Sequence, residues 1–281
     1  MPVENNDYLK IGELPDLSIV PVNEVVFHEE PDMERVADLV ERFGADGVLK
    51  NPPVVAYLDG SQRRVLLDGA NRVTALRTLD FPHVLVQLIA YDDPGLAIDR
   101  WHHAVEHLST DQLLDHARRI VGVSVQAVPE CPPPADGNLC CLTLPDGKRI
   151  VLEGAQDLFD KVEQLREFTK LYHRKTYMDR VSYTNLAHLG RNYSNFTALV
   201  SFSPFAKQDL ARLADAGVLL PSGLTRVLLP KRALRFNVQL DVLRSRLTIE
   251  EKNLWLQETI QQKITEKCIR FYREPTFFFD E

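Results

Sequence analysis

The stretch from Arg63 to Leu76, RRVLLDGANRVTAL, constrains this chain more than any other. Its apolar run, Val65-Leu66-Leu67, has the length and composition of a buried strand. The run stops at Asp68-Gly69, and a helical pattern begins at once with Asn71 and Arg72 in its first turn. A strand that turns directly into a helix leaves the helix's first N–H groups unpaired, and these favour an anion. Gly69 and Ala70 are small enough for a ligand to approach the backbone. Arg72 offers a planar fork suited to phosphate oxygens. Asp68 is a candidate ligand for a magnesium ion that bridges phosphates. The same residues also fit a plain turn, with Asp68 as helix cap and Arg72 paired on the surface. Asp-Gly turns are common, so both readings stay open on these residues alone.

The surrounding pattern is mixed. Residues 17–27 read as a strand and a turn. Pro31 suits a first helical turn, and Met33, Val36, Val40 and Phe43 recur at helical spacing, with Gly44 and Gly47 ending the helix. PPVVAYL and RRVLLDG read as a hairpin across Asp59-Gly60-Ser61. A helix to about Leu79 and a strand from His83 to Ile89 follow. Ser109 and Gln112 form a capping box for a helix through Val121. The Pro-rich loop 129–138 leads into a hairpin, then a helix marked by Leu158, Val162, Leu165, Phe168 and Tyr172. Ser203-Pro204 opens another helix that Gly217 closes. Leu234, Phe236, Val238 and Leu240 alternate as in a half-buried strand, and Thr248 with Glu251 caps a final helix lined by Leu256, Ile260 and Ile264. The expected fold class is α+β in two parts, residues 1–108 and residues 109–281.

The 281 residues carry a formal net charge of −7, which disfavours non-specific nucleic-acid binding because that task relies on Lys and Arg against phosphates. No apolar run reaches the roughly 20 residues a membrane span needs. The polar start, MPVENNDYLK, lacks the apolar core of a signal peptide. A cytosolic protein is therefore expected, with Cys131, Cys140, Cys141 and Cys268 as reduced thiols. Their spacing matches no common zinc pattern.

Three further groups could carry chemistry. Glu29 and Glu30 follow His28 just before a helix, where the dipole favours ionised carboxylates. One of them could take a proton from a hydroxyl, although acids at helix starts are common for capping alone. Trp101, beside His102 and His103, could wall a small pocket or simply fill a core. The adjacent histidines do not suggest a metal site. Thr225-Arg226 stands between a turn and a strand, and Arg226 could clamp a carboxylate or lie on the surface.

Taken together, HEEPD, GVLKNPPVV and VLLDGANRVTAL resemble the ParB/sulfiredoxin-like fold over about residues 15–90. His28-Glu29 at the head of the first helix, Trp101 after the last strand and GLTR late in the chain narrow the resemblance. The set is similar to the free L-serine kinases of the SbnI and SerK type, which phosphorylate serine itself to O-phospho-L-serine. That resemblance implies Glu29 as catalytic base, with Asp68 catalytic and orienting metal or substrate. It implies Gly69, Ala70, Asn71 and Arg72 as the nucleotide's phosphate cradle. Trp101, Thr225 and Arg226 become the amino-acid pocket, with Arg226 on the carboxylate. The partners are then small molecules, L-serine and ATP or ADP with Mg²⁺, ATP being favoured, and neither a membrane nor a nucleic acid. Asn71 stands where relatives often carry His, and it can donate a hydrogen bond but carries no charge. Glu30 is given no role.

Two rivals share the N-terminal pattern. A ParB-like DNA-binding regulator would use LARLADAGVLLPSGLTR as a helix-turn-helix, but that stretch lacks a basic recognition face. A sulfiredoxin-like reductase needs a Cys in the phosphate loop, where this chain has Ala70 and Asn71.

Overall fold

The computed structural model describes residues 14–57, 64–133, 135, 137–173 and 177–272. The strand of the DG motif lies within a mixed five-stranded sheet. This first body runs β1 (Asp16–Pro21), β2 (Val25–Phe27), α1 (Met33–Asp46), the short β3 (Val48–Leu49), β4 (Val54–Tyr57), β5 (Arg64–Asp68), α2 (Ala70–Thr78) and β6 (His83–Ala90). The order across the sheet is β1-β6-β4-β5-β2. β4 pairs antiparallel with β5, as a hairpin requires. The Asp59-Gly60-Ser61 turn itself falls outside the described residues.

β5 is buried on both faces, which explains its continuous apolar run. Leu66 packs with Val36 and Phe43 of α1 and Val73 and Leu76 of α2. Val65 and Leu67 face the other way and join Val54, Ala56, Leu96 and Ala214. Helix α1 is capped by Asp32, whose Oδ1 accepts the N–H groups of Glu34 and Arg35, so Pro31 precedes the helix instead of opening it. Gly44 lies within α1. Gly47, at φ 63°, ends it.

The second body runs β7 (Ala97–Arg100), β8 (His102–Glu106), α3 (Thr110–Arg119), β9 (Ser124–Val128), β10 (Asn138–Thr143), β11 (Arg149–Glu153), α4 (Leu158–Thr169), β12 (Met178–Val181), α5 (Leu186–Asn192), β13 (Phe196–Phe202), α6 (Lys207–Ala216) and β14 (Thr225–Leu228). Six of its strands form an antiparallel sheet in the order β12-β8-β13-β10-β11-β9, while β14 pairs separately with β7. The Ser109–Gln112 capping box is present. Helix α6 starts after Ala206, three residues later than Ser203 suggests, and Gly217 closes it in the left-handed region. Tyr172 lies beyond α4 but is fully buried beside Phe168.

The chain then returns to the first body through β15 (Val238–Gln239), α7 (Leu240–Arg244) and α8 (Ile249–Thr265). Here the alternation from Leu234 to Leu240 does not make the expected strand. Only Val238 and Gln239 pair, with β3. Side chains take the backbone partners a strand would need: Gln87 Oε1 accepts from Ala233 N–H at 2.8 Å, and Asn51 Oδ1 from Arg235 N–H at 2.8 Å. Val238, Leu240, Leu243 and Leu256 are buried with Ile19 and Val20, and Asn253 bonds both the N–H and the C=O of Ile19. The hydrophobic cores therefore do not divide at residue 108. β7 and β8 already belong to the second body, and the C-terminal helices complete the first.

Cys131 and Cys141 form a disulfide, Cα to Cα 5.8 Å, where reduced thiols were expected. The bond ties Cys131, in the Pro-rich segment, to β10, a contact that spacing does not reveal. Cys140 and Cys268 are free thiols, the first buried and the second exposed. Among the described residues no helix is long and apolar enough to cross a membrane.

Candidate active site

The two bodies meet around a cavity of about 680 Å³. Its lining includes all of Glu29, Asp68, Gly69, Ala70, Asn71, Arg72, Trp101, Thr225 and Arg226, residues spread over nearly 200 positions. The junction is built by the backbone. Glu29 and Leu220 form a parallel bridge, with Leu220 N–H donating to His28 C=O and Glu30 N–H to Leu220 C=O, each at 2.8 Å. The HEE segment is thereby fastened to the segment that carries GLTR.

Glu29 is held by that junction. Gly223 N–H donates to its Oε1 at 2.6 Å, and Thr225 donates to Oε2 from N–H at 3.1 Å and from the hydroxyl at 2.6 Å. A carboxylate has about four lone-pair sites. Three are used here, which leaves one on Oε1 for a ligand. Glu30 also lines the cavity, but its Oε1 is paired: Arg166 of α4 donates to it at 3.0 Å and to Leu219 C=O at 2.6 Å. Glu30 thus fastens the two bodies.

Buried histidines support the 222–225 turn. His28 Nδ1 lies 2.7 Å from Leu66 C=O and its Nε2 lies 3.1 Å from Thr225 Oγ1. The carbonyl partner assigns the proton to Nδ1, so Nε2 and Glu29 Oε2 compete for the one Thr225 hydroxyl proton, which the shorter contact gives to Glu29. Burial lowers the pKa of His28, against the pull of Glu29. His103 Nε2 donates to Gly223 C=O at 2.9 Å, and burial pushes its pKa down to about 3. His173 Nε2 reaches Ser222 C=O at 2.9 Å. The sequence singled out His28 and His103 by their neighbours but gave neither this supporting role, and His173 carried no signal.

The DG turn forms the facing wall. Gly69 is the N-cap of α2 at φ 105°, and no side chain caps the helix. Asp68 is therefore not the helix cap. It pairs with Arg72 at 2.8 Å and with Arg232 at 2.5 Å. Burial raises its pKa, but the two guanidinium groups outweigh that and hold it below the usual carboxylate range. Arg72 also donates to Asn51 C=O at 2.7 Å, so it braces the 51–53 loop as well as lining the cavity. Asn71 Oδ1 accepts Asp32 N–H at 2.8 Å and locks the start of α2 to the start of α1. Arg232, on the segment after β14, gave no sequence signal.

Trp101 and Arg226 close the far side. The Arg226 guanidinium lies 4.9 Å from the Trp101 ring centroid, a cation–π arrangement. Trp101 N–H donates to Leu224 C=O at 3.1 Å. His102 bonds Ser201 Oγ at 2.8 Å, while the neighbouring His103 turns to Gly223. The arrangement brings together one anchored carboxylate, a helix start suited to phosphate and a stacked cation suited to a carboxylate. The DNA-binding rival finds no support here: α6 is followed by a loop, the 222–225 turn and β14, not by a second helix.

No family model matches the chain. An ATP-dependent L-serine kinase from Staphylothermus marinus is 27% identical over 101 residues, covering 36% of this chain and 40% of that protein. The ATP-dependent L-serine kinase SbnI of Staphylococcus aureus is 21% identical over 266 residues, covering 94% of this chain and 97% of that protein. Among solved structures, SbnI with a C-terminal truncation superposes with a TM-score of 0.67 at 20% identity, covering 88% of this chain and 96% of that one. A free serine kinase in complex with AMP gives 0.69 at 15% identity, covering 82% of this chain and 94% of that one. At these identities the structures establish a shared fold.

Proposed function

We propose that this chain is a kinase that transfers the terminal phosphoryl group of ATP to free L-serine, giving O-phospho-L-serine. The observation that carries this reading is the placing of Glu29. Its carboxylate is anchored at the junction of the two bodies and lines the same cavity as the uncapped start of α2. Both the full-length similarity to SbnI and the AMP-bound neighbour support it.

Phosphoryl transfer needs positioning and charge neutralisation more than covalent help. In this reading Glu29 accepts the proton of the serine hydroxyl at its remaining Oε1 site. The N–H groups at the start of α2, from Gly69 to Arg72, hold phosphate oxygens. Arg226 takes the serine carboxylate, with Trp101 as the wall behind it. Thr225 acts one step back, orienting Glu29 through its hydroxyl.

Magnesium belongs to the same reading. Among the described residues no three His, Cys, Asp or Glu side chains are grouped to hold a metal. Asp68, kept ionised by its arginines, suits a single carboxylate ligand to an ion whose other ligands are nucleotide phosphates and water. The ion supplies charge neutralisation on those phosphates. We assign the first body to the ParB/sulfiredoxin-like type from its sheet and DG turn, and the cytoplasm, where both substrates occur, as the place of action.

The test is incubation with Mg²⁺, ATP or ADP and a panel of free amino acids, read by phosphorus NMR. Phosphoserine formed from ATP and serine is expected. Selective DNA binding with no serine-dependent turnover would overturn the reading.

A further inference from the structure

Arg180 enters the cavity from the second body, on β12, the edge strand of the six-stranded sheet. It stands opposite His103 of β8. Its Nη2 donates to Ser222 Oγ at 2.8 Å, while its Nε is buried without a hydrogen-bond partner. The side chain crosses Gly223, which has φ 82°, and a Cβ at that position would run into the guanidinium. Gly223 therefore serves two ends: it allows the turn, and it opens the path for Arg180.

A buried guanidinium N–H without an acceptor is costly, and the cost is offset when an anion arrives. Burial lowers the pKa of Arg180; among the charges around it Glu29 acts most strongly and opposes that shift, as Asp32 and Asp179 do, while Arg35 repels it. Glu29 is itself fastened to Gly223 and Thr225. One short turn, residues 222–225, thus positions both a carboxylate and a cation against the cavity. Four further arginines line the cavity: Arg226 lies on Trp101, Arg72 is tied to Asn51 and Asp68, and Arg35, paired with Asp32, and Arg42 stand on α1.

We propose that Arg180 is a catalytic residue that meets the oxygens of the phosphoryl group as it passes to serine; this rests on the kinase reading above. The serine Oγ–P bond forms and the bond from P to the bridging oxygen of the leaving ADP breaks, with its electron pair going to ADP. The hydroxyl proton goes to Glu29. The group passing beside Glu29 at that moment is the phosphoryl, so a cation held from β12 by the same turn is placed to stabilise its charge.

The experiment compares wild type, Arg180→Gln and Ser222→Ala in kcat, in KM for serine and for ATP, and in ADP binding. Arg180→Gln should lower kcat by about 10³-fold, the scale of an arginine acting on a transferring phosphoryl group, with both KM values and ADP affinity within a few-fold of wild type. Ser222→Ala keeps the charge and loosens its hold, so kcat should fall about tenfold with both KM values kept. A raised serine KM with kcat retained would assign Arg180 to the serine carboxylate and overturn the proposal. So would unchanged kcat in Arg180→Gln or, if that variant does not fold, in Ser222→Ala. A wild type that makes no phosphoserine removes the kinase reading itself, whereas an active wild type with an equally active Arg180→Gln removes only this role.

Discussion

Glu29 and Glu30 are neighbours with the same chemistry, yet the fold gives them separate work. Glu29 accepts three hydrogen bonds from Gly223 and Thr225 at the cavity, while Glu30 pairs with Arg166 between the bodies. Hydrogen bonds to a charged group contribute about 1.5–3 kcal/mol each, so Glu29 is held in a single orientation. Glu29→Gln should lower serine phosphorylation by about 10²–10⁴-fold, while fluorescence titration still detects ADP binding. Near-normal turnover would remove Glu29 as the base. Arg226→Ala should raise the KM for serine by about tenfold or more, the worth of one charge-assisted contact, and leave the KM for ATP close to wild type. An equal rise in both would mean that Arg226 does not hold the serine carboxylate.

At the scale of elements, the local signals that held are those carried by the backbone. The capping boxes at Ser109–Gln112 and Thr248–Glu251 form because each satisfies N–H groups within its own helix. The DG turn forms because Gly69 adopts φ 105°. A Cβ at position 69 would also lie 2.9 Å from Pro53 Cβ. Gly69→Ala should therefore destabilise the protein by about 1–2 kcal/mol from backbone strain alone, read as a lower urea midpoint, and weaken nucleotide binding. A wild-type midpoint would mean that the turn relaxes freely. The alternation from Leu234 to Leu240 failed as a strand signal because Arg235 and Asn237 sit at φ 53° and 59°, which interrupts the extended backbone. That segment instead meets the side chains of Gln87 and Asn51.

At the scale of the whole molecule, the two bodies are threaded through each other. The chain leaves the first body after β6 and returns to it with α7 and α8. The junction between the bodies rests partly on neutral buried histidines. His103 has its pKa pushed down to about 3 by burial, and His28 is lowered in the same direction. An unfolded histidine titrates near 6.5. Between those values the unfolded chain binds protons that the folded chain refuses, so stability is full above about pH 6.5 and is lost as pH falls toward 3. Urea unfolding at pH 8 and pH 5 should show the loss, and His103→Gln should flatten it. An unchanged pH slope in that variant would mean that His103 does not contribute.

The sequence by itself determined the α+β class, most helix starts and the three short motifs around Glu29, Asp68 and Arg226, because caps, turns and apolar periodicity act over a few residues. Only the tertiary structure decided which residues surround those motifs. Arg180, Arg232 and the buried His28 and His103 come from distant parts of the chain or carry no pattern of their own. The pairing of Cys131 with Cys141 and the return of α8 to the first core are of the same kind. Each depends on burial and on long-range contact, which follow from how the layers pack and not from the order of neighbouring residues.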